Sequence, residues 1–569
     1  MSHRIGHRIF LLLATNSVQI FVRFRSWITA RPHLVRLVAP AILLAVILAP
    51  SIWILSVIPP LWRDVDAYVQ LTRPPGPETI LQYGPLYCWL ARIPLYIGYA
   101  SDCLRAGTPL PTLSFFAHPI LSDSGVFLLL LSQHLALGLA TLHFIAATTR
   151  IFWVRLMLVA AWAANPIFYA FAHTVGSEAL SMILLLLLGV TGLRIAQSSR
   201  SVSWKDWLVL GFLLWVCILT RHINAVLVAL LPVAFIVLGA YQLIAVPFAR
   251  SDPFSRARWS NVKQSFQKAA LAVAVGISCI VLANASVRVL CHAARIPYYS
   301  SLGLTFMFRL KFLAALPPEK RNQLLSEVSK HDASAEVKKV VSLLRESFPA
   351  EISNWDVNNF NLQARVLFFT PQTDPYGDKY AVLLNRTALA FLYPPHEIFL
   401  SAVATDFKKS QEVTIPDLVG FLFATTNFYF SHREAMPQCA SLASFRGKDP
   451  NQVIAVFKKH SYFRHPKNVS YRGLLLFWVA VLGLFIIIAK IRQREAADLS
   501  LYASALTVIG LFMMLASCVL TVFQPRFTLP MWELTIISLF ILLGRMMESL
   551  SSTLWPTLMS DKQFTSALK

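Results

Sequence analysis

Residues 62–89, WRDVDAYVQLTRPPGPETILQYGPLYCW, hold the first carboxylates of the chain. Residues 1–63 contain no Asp or Glu; Asp64 and Asp66 then arrive together, behind a long apolar run that closes in Pro59-Pro60. An acidic pair at the exit of an apolar segment has strong hydration to lose, so it belongs in water or in a polar cavity. The run before it therefore reads as a membrane span, and the pair marks where the chain leaves the bilayer. The Pro- and Gly-rich piece at 70–82 reads as a loop. Tyr83 to Tyr99 mixes Tyr and Trp with Arg92 in an apolar setting, which suits a helix lying in the membrane interface.

The whole composition agrees with that start. Of 569 residues, 56% are hydrophobic and 14% charged, against about 25% charged in an ordinary soluble protein. Several uncharged stretches of roughly 20 residues make this an all-α polytopic membrane protein. The formal charge of +23 does not indicate nucleic acid, because Lys and Arg gather in cytoplasmic loops and no basic nucleic-acid module is present. Seven Cys are scattered singly with no CxxC pair, so neither a zinc site nor a disulfide framework is expected. The first apolar piece, 9–22, is followed by Arg23 and Arg25 without a small-residue cleavage site, so no cleavable signal peptide is expected.

Spans are expected at 37–58, 124–147, 151–171, 177–196, 205–220, 222–246, 268–291, 471–490, 501–522 and 528–545, about ten in all. Basic connections alternate with short or acidic ones. That places residues 1–36, a basic N-terminal segment, and the 546–569 tail in the cytoplasm, and the first loop, 59–123, outside. Residues 37–291 form one membrane module and 471–545 its C-terminal spans. Between spans seven and eight lies 292–470, expected to be a mainly helical extracytoplasmic domain. Within it 317–329 and 333–346 read as amphipathic helices, the second with Val337, Val340, Val341 and Leu344 at helical spacing. The apolar run 415–430, interrupted by Asp417 and Asn427, reads as interfacial or as core of this domain.

With this topology the conspicuous ionisable groups near span ends share the outer side: Asp64 and Asp66, His173 and Glu178, Arg221 and His222, and Arg526. Loops that meet at one face and each bring polar groups are what an active site at a membrane surface needs. A carboxylate can deprotonate a hydroxyl acceptor as general base. Asp64, nearer the membrane exit, is expected to be that base, with Asp66 a supporting carboxylate or metal ligand. A solvated loop pair is the plainer alternative. Arg221 and Arg526, with Arg92 beside them, suit a lipid-linked phosphate, since a guanidinium supplies charge and a fork of donors. Alternatively they are snorkelling anchors. His173, Glu178, His222 and Tyr83 complete the candidate set. A divalent metal on Asp66 and Glu178 is left open.

These motifs together resemble the GT-C class of polytopic glycosyltransferases. WRDVDAY (62–68) followed by QYGPLYCWLARIP (82–94) is similar to the acidic motif and later Tyr-x-Pro pattern of glycosylphosphatidylinositol mannosyltransferase I and related bacterial transferases. SEAL (177–180), LTRHINAVLVALLP (219–232) and QPRFTLP (524–530) are similar to recurring span-start motifs of that class. The resemblance covers about 1–250 and 471–545, and nothing in 292–470 takes part. The Asp-Glu pair of protein O-mannosyltransferases and the WWDYG of oligosaccharyltransferases are missing. The resemblance implies a polyprenyl-phosphate-linked sugar donor and a glycan, lipid or protein acceptor. It also implies inversion in a single displacement in a bacterial inner membrane, or in the endoplasmic reticulum of a eukaryote. A lipid or polysaccharide flippase and an outer-face acyltransferase or ligase are the competing readings.

Overall fold

The structure is a computed structural model that describes residues 32–554 apart from 199–201, 246–253, 333, much of 348–371 and of 433–452, 465–468 and 492–496. The basic segment 1–31 and the tail beyond 554 lie outside the described residues. The chain is an all-helical polytopic membrane protein. Eight helices among the described residues are long and apolar enough to cross a bilayer: Val38–Val57, Asp123–Thr148, Ser177–Gln197, His222–Ile244, Trp259–Ala293, Tyr471–Ile491, Ala497–Leu520 and Pro525–Ser551.

About ten were expected, and the two that differ do so for local reasons. The expected span at 151–171 is two helices, Phe152–Ala163 and Pro166–Ala172, bent by 64°. Pro166 cannot donate the next helical hydrogen bond and pushes Asn165 into extended geometry; Asn165 then caps the second helix by accepting from the Ile167 N–H at 3.0 Å. The expected span at 205–220 is the 17-residue helix Trp204–Thr220. At 1.5 Å per residue it reaches only ~25 Å, short of a ~30 Å hydrocarbon core.

The helix Pro85–Ala106 is not among the spans. It buries Tyr87, Cys88, Ala91 and Leu95 and exposes Leu90, Ile93, Ile97 and Leu104, an apolar outer face suited to the bilayer interface. Two helices read from the sequence in the 292–470 segment are present as Pro318–His331 and Ala335–Glu346. The second buries Val337, Val340, Val341 and Leu344, the four residues named by spacing. The run around 415–430 is the helix Ile415–Ser431, opened by a capping box between Thr414 and Asp417. It packs on Pro166–Ala172, on the strand Leu61–Trp62 and on the turn Pro525–Thr528. This helix, with Ile415, Leu418, Val419, Leu422 and Phe423 buried, lies over the candidate site.

The sheet among the described residues is minimal. Strand β1 (Leu61–Trp62) pairs in parallel with β2 (Thr174–Val175), with Leu61 opposite Thr174 and Trp62 opposite Val175. At its two ends the ladder is closed by Leu61 N–H to His173 O at 3.2 Å and Arg63 N–H to Val175 O at 3.3 Å. This short ladder matters beyond its size, because Arg63-Asp64 leaves one strand and Ser177-Glu178 leaves the other.

Candidate active site at the ends of the spans

Asp64 opens the helix Val65–Thr72 as its N-cap, with Oδ1 accepting from the Ala67 N–H at 3.0 Å. The same oxygen accepts from Arg63 Nε at 2.9 Å, and Oδ2 is ion-paired with Arg526. Glu178, at the start of Ser177–Gln197, lies 3.7 Å from Arg63 Nη1 and 3.6 Å from Arg221 Nη1. Arg63, Asp64 and Glu178 are all buried. Carboxylates and guanidiniums from four separate stretches of chain therefore form one cluster.

The two aspartates stand in unequal settings. Burial alone would raise the Asp64 carboxyl, but the adjacent guanidiniums of Arg63 and Arg526 outweigh it and hold it well below the usual carboxylate range. At Asp66 burial and then the negative charge of Asp64 push the carboxyl up, against Arg63 and an interaction with the Tyr83 hydroxyl. Asp64 is thus held as an anion, while Asp66 is the more readily protonated of the two.

Close approaches hold the loops together. Gly84 has φ +91°, and a Cβ there would stand 2.7 Å from Leu219 O and 2.8 Å from Thr220 O. That contact locks the Tyr83 turn against the turn that carries Arg221. A Cβ at Gly176 would meet Glu178 Oε2 at 2.8 Å and the Arg63 Cβ at 3.1 Å. Tyr83 sits beside Arg63, its ring centroid 5.8 Å from the guanidinium carbon.

Other candidates are spent elsewhere. Arg92 is buried and donates to backbone carbonyls, Gln70 O at 3.0 Å, Arg73 O at 2.7 Å and Phe116 O. It clips the first loop closed instead of facing the carboxylates. Nε2 of His222 lies 3.0 Å from Leu81 O, and Nε2 of His173 lies 3.0 and 3.1 Å from the carbonyls of Ile58 and Pro59. Both histidines hold backbone next to the cluster.

A metal on Asp66 and Glu178 fits poorly. Glu178 faces Arg63 and Arg221, Asp64 faces Arg63 and Arg526, and among the described residues no three His, Cys, Asp or Glu converge as a metal site.

Three residues on the helix Ile415–Ser431 lacked a signal in their own sequence neighbourhood. Thr426 Oγ1 accepts from Trp62 N–H at 2.8 Å and donates to the Leu422 carbonyl at 2.7 Å. Tyr429, on the same helix, faces both aspartates; burial and then the charge of Asp64 push its phenol up. Phe421 covers the Arg526 guanidinium at 5.9 Å. Glu533 is fully buried in the last span, with neither carboxyl oxygen hydrogen-bonded. An acid inside an apolar run was visible in the sequence as an anomaly.

No family model matches this chain, and no curated protein matches it. Among solved structures, the archaeal oligosaccharyltransferase AglB from Archaeoglobus fulgidus, in complex with an inhibitory peptide and a dolichol-phosphate, aligns with 93% of this chain at 11% identity and a TM-score of 0.35. The chain spans 55% of the length of that protein.

Proposed function

We propose that this chain is a membrane glycosyltransferase that moves a sugar from a polyprenyl-phosphate carrier to a hydroxyl-bearing glycan, lipid or protein acceptor at the extracytoplasmic face. The observation that carries the reading is the convergence of Asp64, Asp66, Glu178, Arg221 and Arg526 at one end of the helical frame. In the proposed displacement the acceptor hydroxyl gives its proton to Asp66 while its oxygen bonds to the anomeric carbon. The bond from that carbon to the phosphate oxygen breaks, and the electron pair leaves with the phosphate. Inversion follows from the single step. Asp64 keeps Arg63 and Arg526 in place, and Arg526 with Arg221 steadies the departing phosphate. Arg526 Nε, buried with no hydrogen-bond partner, leaves the guanidinium with a donor unspent.

Purified protein in proteoliposomes, given a polyprenyl-phosphate sugar and a candidate acceptor, tests the reading. Asp66→Asn should lower transfer by ~10²–10⁴-fold, and an undiminished Asp66→Asn protein would refute the base. Labelling of Gly76→Cys from the outer side alone would support the orientation.

The observation that favours a transporter is Glu533, buried one turn into the last span, since ionisable groups within spans mark transport pathways. Glu533→Gln should leave sugar transfer intact under the transferase reading and stop lipid movement under the other.

A further inference from the structure

Gln133 and His134 stand side by side in the apolar helix Asp123–Thr148, both buried, at 6% and 1% exposure. Polar pairs at such depth are costly unless satisfied, and each of these is bonded to the chain that carries the site. Gln133 Nε2 donates to the carbonyls of Ala172 at 2.9 Å and Thr174 at 3.1 Å, the residues either side of His173. Its Oε1 accepts from the Tyr87 hydroxyl at 3.3 Å, and that hydroxyl accepts from the Gly176 N–H at 2.9 Å. His134 Nε2 lies 3.3 Å from His173 Nδ1, and His134 Nδ1 lies 3.0 Å from Ser51 Oγ.

The bonding order follows from the ends of this chain. The Ile58 and Pro59 carbonyls can only accept, so His173 Nε2 carries a hydrogen. A neutral His173 then has a bare Nδ1, which His134 serves with its Nε2–H. That leaves His134 Nδ1 bare, accepting from the Ser51 hydroxyl. Charging a ring at this depth would desolvate an ion, so the neutral chain is the stable one.

We infer that Gln133 and His134 are positioning residues that set the register of β1 against β2, and through it the distance of Arg63-Asp64 from Glu178; this rests on the proposed reading of the site. His134 acts through His173 on the carbonyls that lead into β1, while Gln133 grips the backbone on both sides of His173 at the entrance to β2. The ladder needs that help. It is only two residues long on each strand, so few backbone bonds hold its register. A misplacement near 1 Å at a reacting centre costs ~10²-fold in rate.

The test uses the full chain in proteoliposomes. His134→Leu should lower kcat by ~10²-fold with donor KM within about twofold of wild type. His134→Gln places an amide N–H where Nε2–H stood and should recover most of that loss. A wild-type kcat for His134→Leu, or a His134→Gln protein as slow as His134→Leu, would overturn the assignment. If His134→Leu fails to fold, Ser51→Ala removes only the far hydroxyl; it should slow turnover, and an unchanged kcat counts against the chain. Solid-state NMR of 15N-histidine protein gives a readout apart from activity, with His134 and His173 resonances assigned from the His134→Gln and His173→Gln proteins. Both rings should be neutral with bare Nδ1, and a histidinium or an Nδ1–H form at His134 would overturn the chain. Should wild-type protein transfer no sugar, the transferase reading falls, while the NMR result still decides the clamp.

Discussion

The charged cluster around Asp64 and the neutral clamp of Gln133 and His134 are built on the same two-residue ladder, yet they are satisfied to different degrees. In the clamp, donors meet acceptors at 2.9–3.3 Å, and the acceptors are carbonyls, a hydroxyl and bare ring nitrogens. In the cluster, Glu178 finds its guanidiniums only at 3.6 and 3.7 Å, its oxygens accept no hydrogen bond, and burial beside Asp64 pushes Asp66 up. The difference separates two jobs. A satisfied neutral network fixes geometry because nothing in it gains by moving. A buried cluster with donors and acceptors still unspent holds interactions in reserve for a charged ligand.

That contrast is sharpest at Asp66. Asp66→Asn keeps shape and polarity but removes proton acceptance, so transfer should fall by ~10²–10⁴-fold while the protein stays folded, measured as single-turnover sugar transfer. Asp64→Asn should instead disturb assembly of the cluster, visible as lost thermal stability along with lost rate.

Arg526→Lys keeps the charge and loses the fork of donors. Donor KM should rise by about 10- to 100-fold, in line with the loss of one or two charge-assisted hydrogen bonds. An unchanged donor KM in both Arg526→Lys and Arg221→Lys would return these residues to the role of membrane anchors.

The pH profile gives a smaller effect. Asp66 must be ionised to accept a proton, and its carboxyl is raised by burial and then by Asp64. Activity should therefore fall on acidification with a midpoint above the ~3.9 of a free Asp. In Asp64→Asn the neighbouring negative charge is gone and Arg63 and Arg526 are released to act on Asp66, so the midpoint of the residual rate should move down. A midpoint that moves up would break the assignment of base and fixed anion.

Arg92→Met should leave kcat and donor KM nearly untouched, because its guanidinium serves carbonyls of the loop. Stability should drop by about 2–4 kcal/mol as those buried carbonyls lose a charged donor. A large rise in donor KM would move Arg92 back among the phosphate ligands.

How much of this was legible varies from residue to residue. Asp64, Glu178, Arg221 and Arg526 were readable as candidates because charge at the end of an apolar run is conspicuous. Their partners were not. Arg526 meets Asp64 across 462 positions, and Trp62 meets Thr426 across 364. No periodicity encodes such pairings. Arg92 looked like Arg526 in sequence, an arginine in an apolar setting beside aromatics, and only its carbonyl contacts separate them. The Gln-His pair at 133–134 was visible as two polar residues in an apolar helix, but nothing local says that they grip the chain around His173.

The sequence by itself determined the class of protein, where most spans run, the amphipathic helix at 335–346 and the ends at which ionisable groups gather. Those properties depend on hydrophobicity and helical period, which are set by near neighbours along the chain. The tertiary structure alone decided that Asp64 is capped and doubly ion-paired while Asp66 is not, and that the helix Ile415–Ser431 roofs the site. It alone joined the two acidic turns through a two-residue ladder. A carboxylate's basicity is set by the charges and dielectric within a few ångströms of it, and in a folded chain those neighbours come from hundreds of residues away.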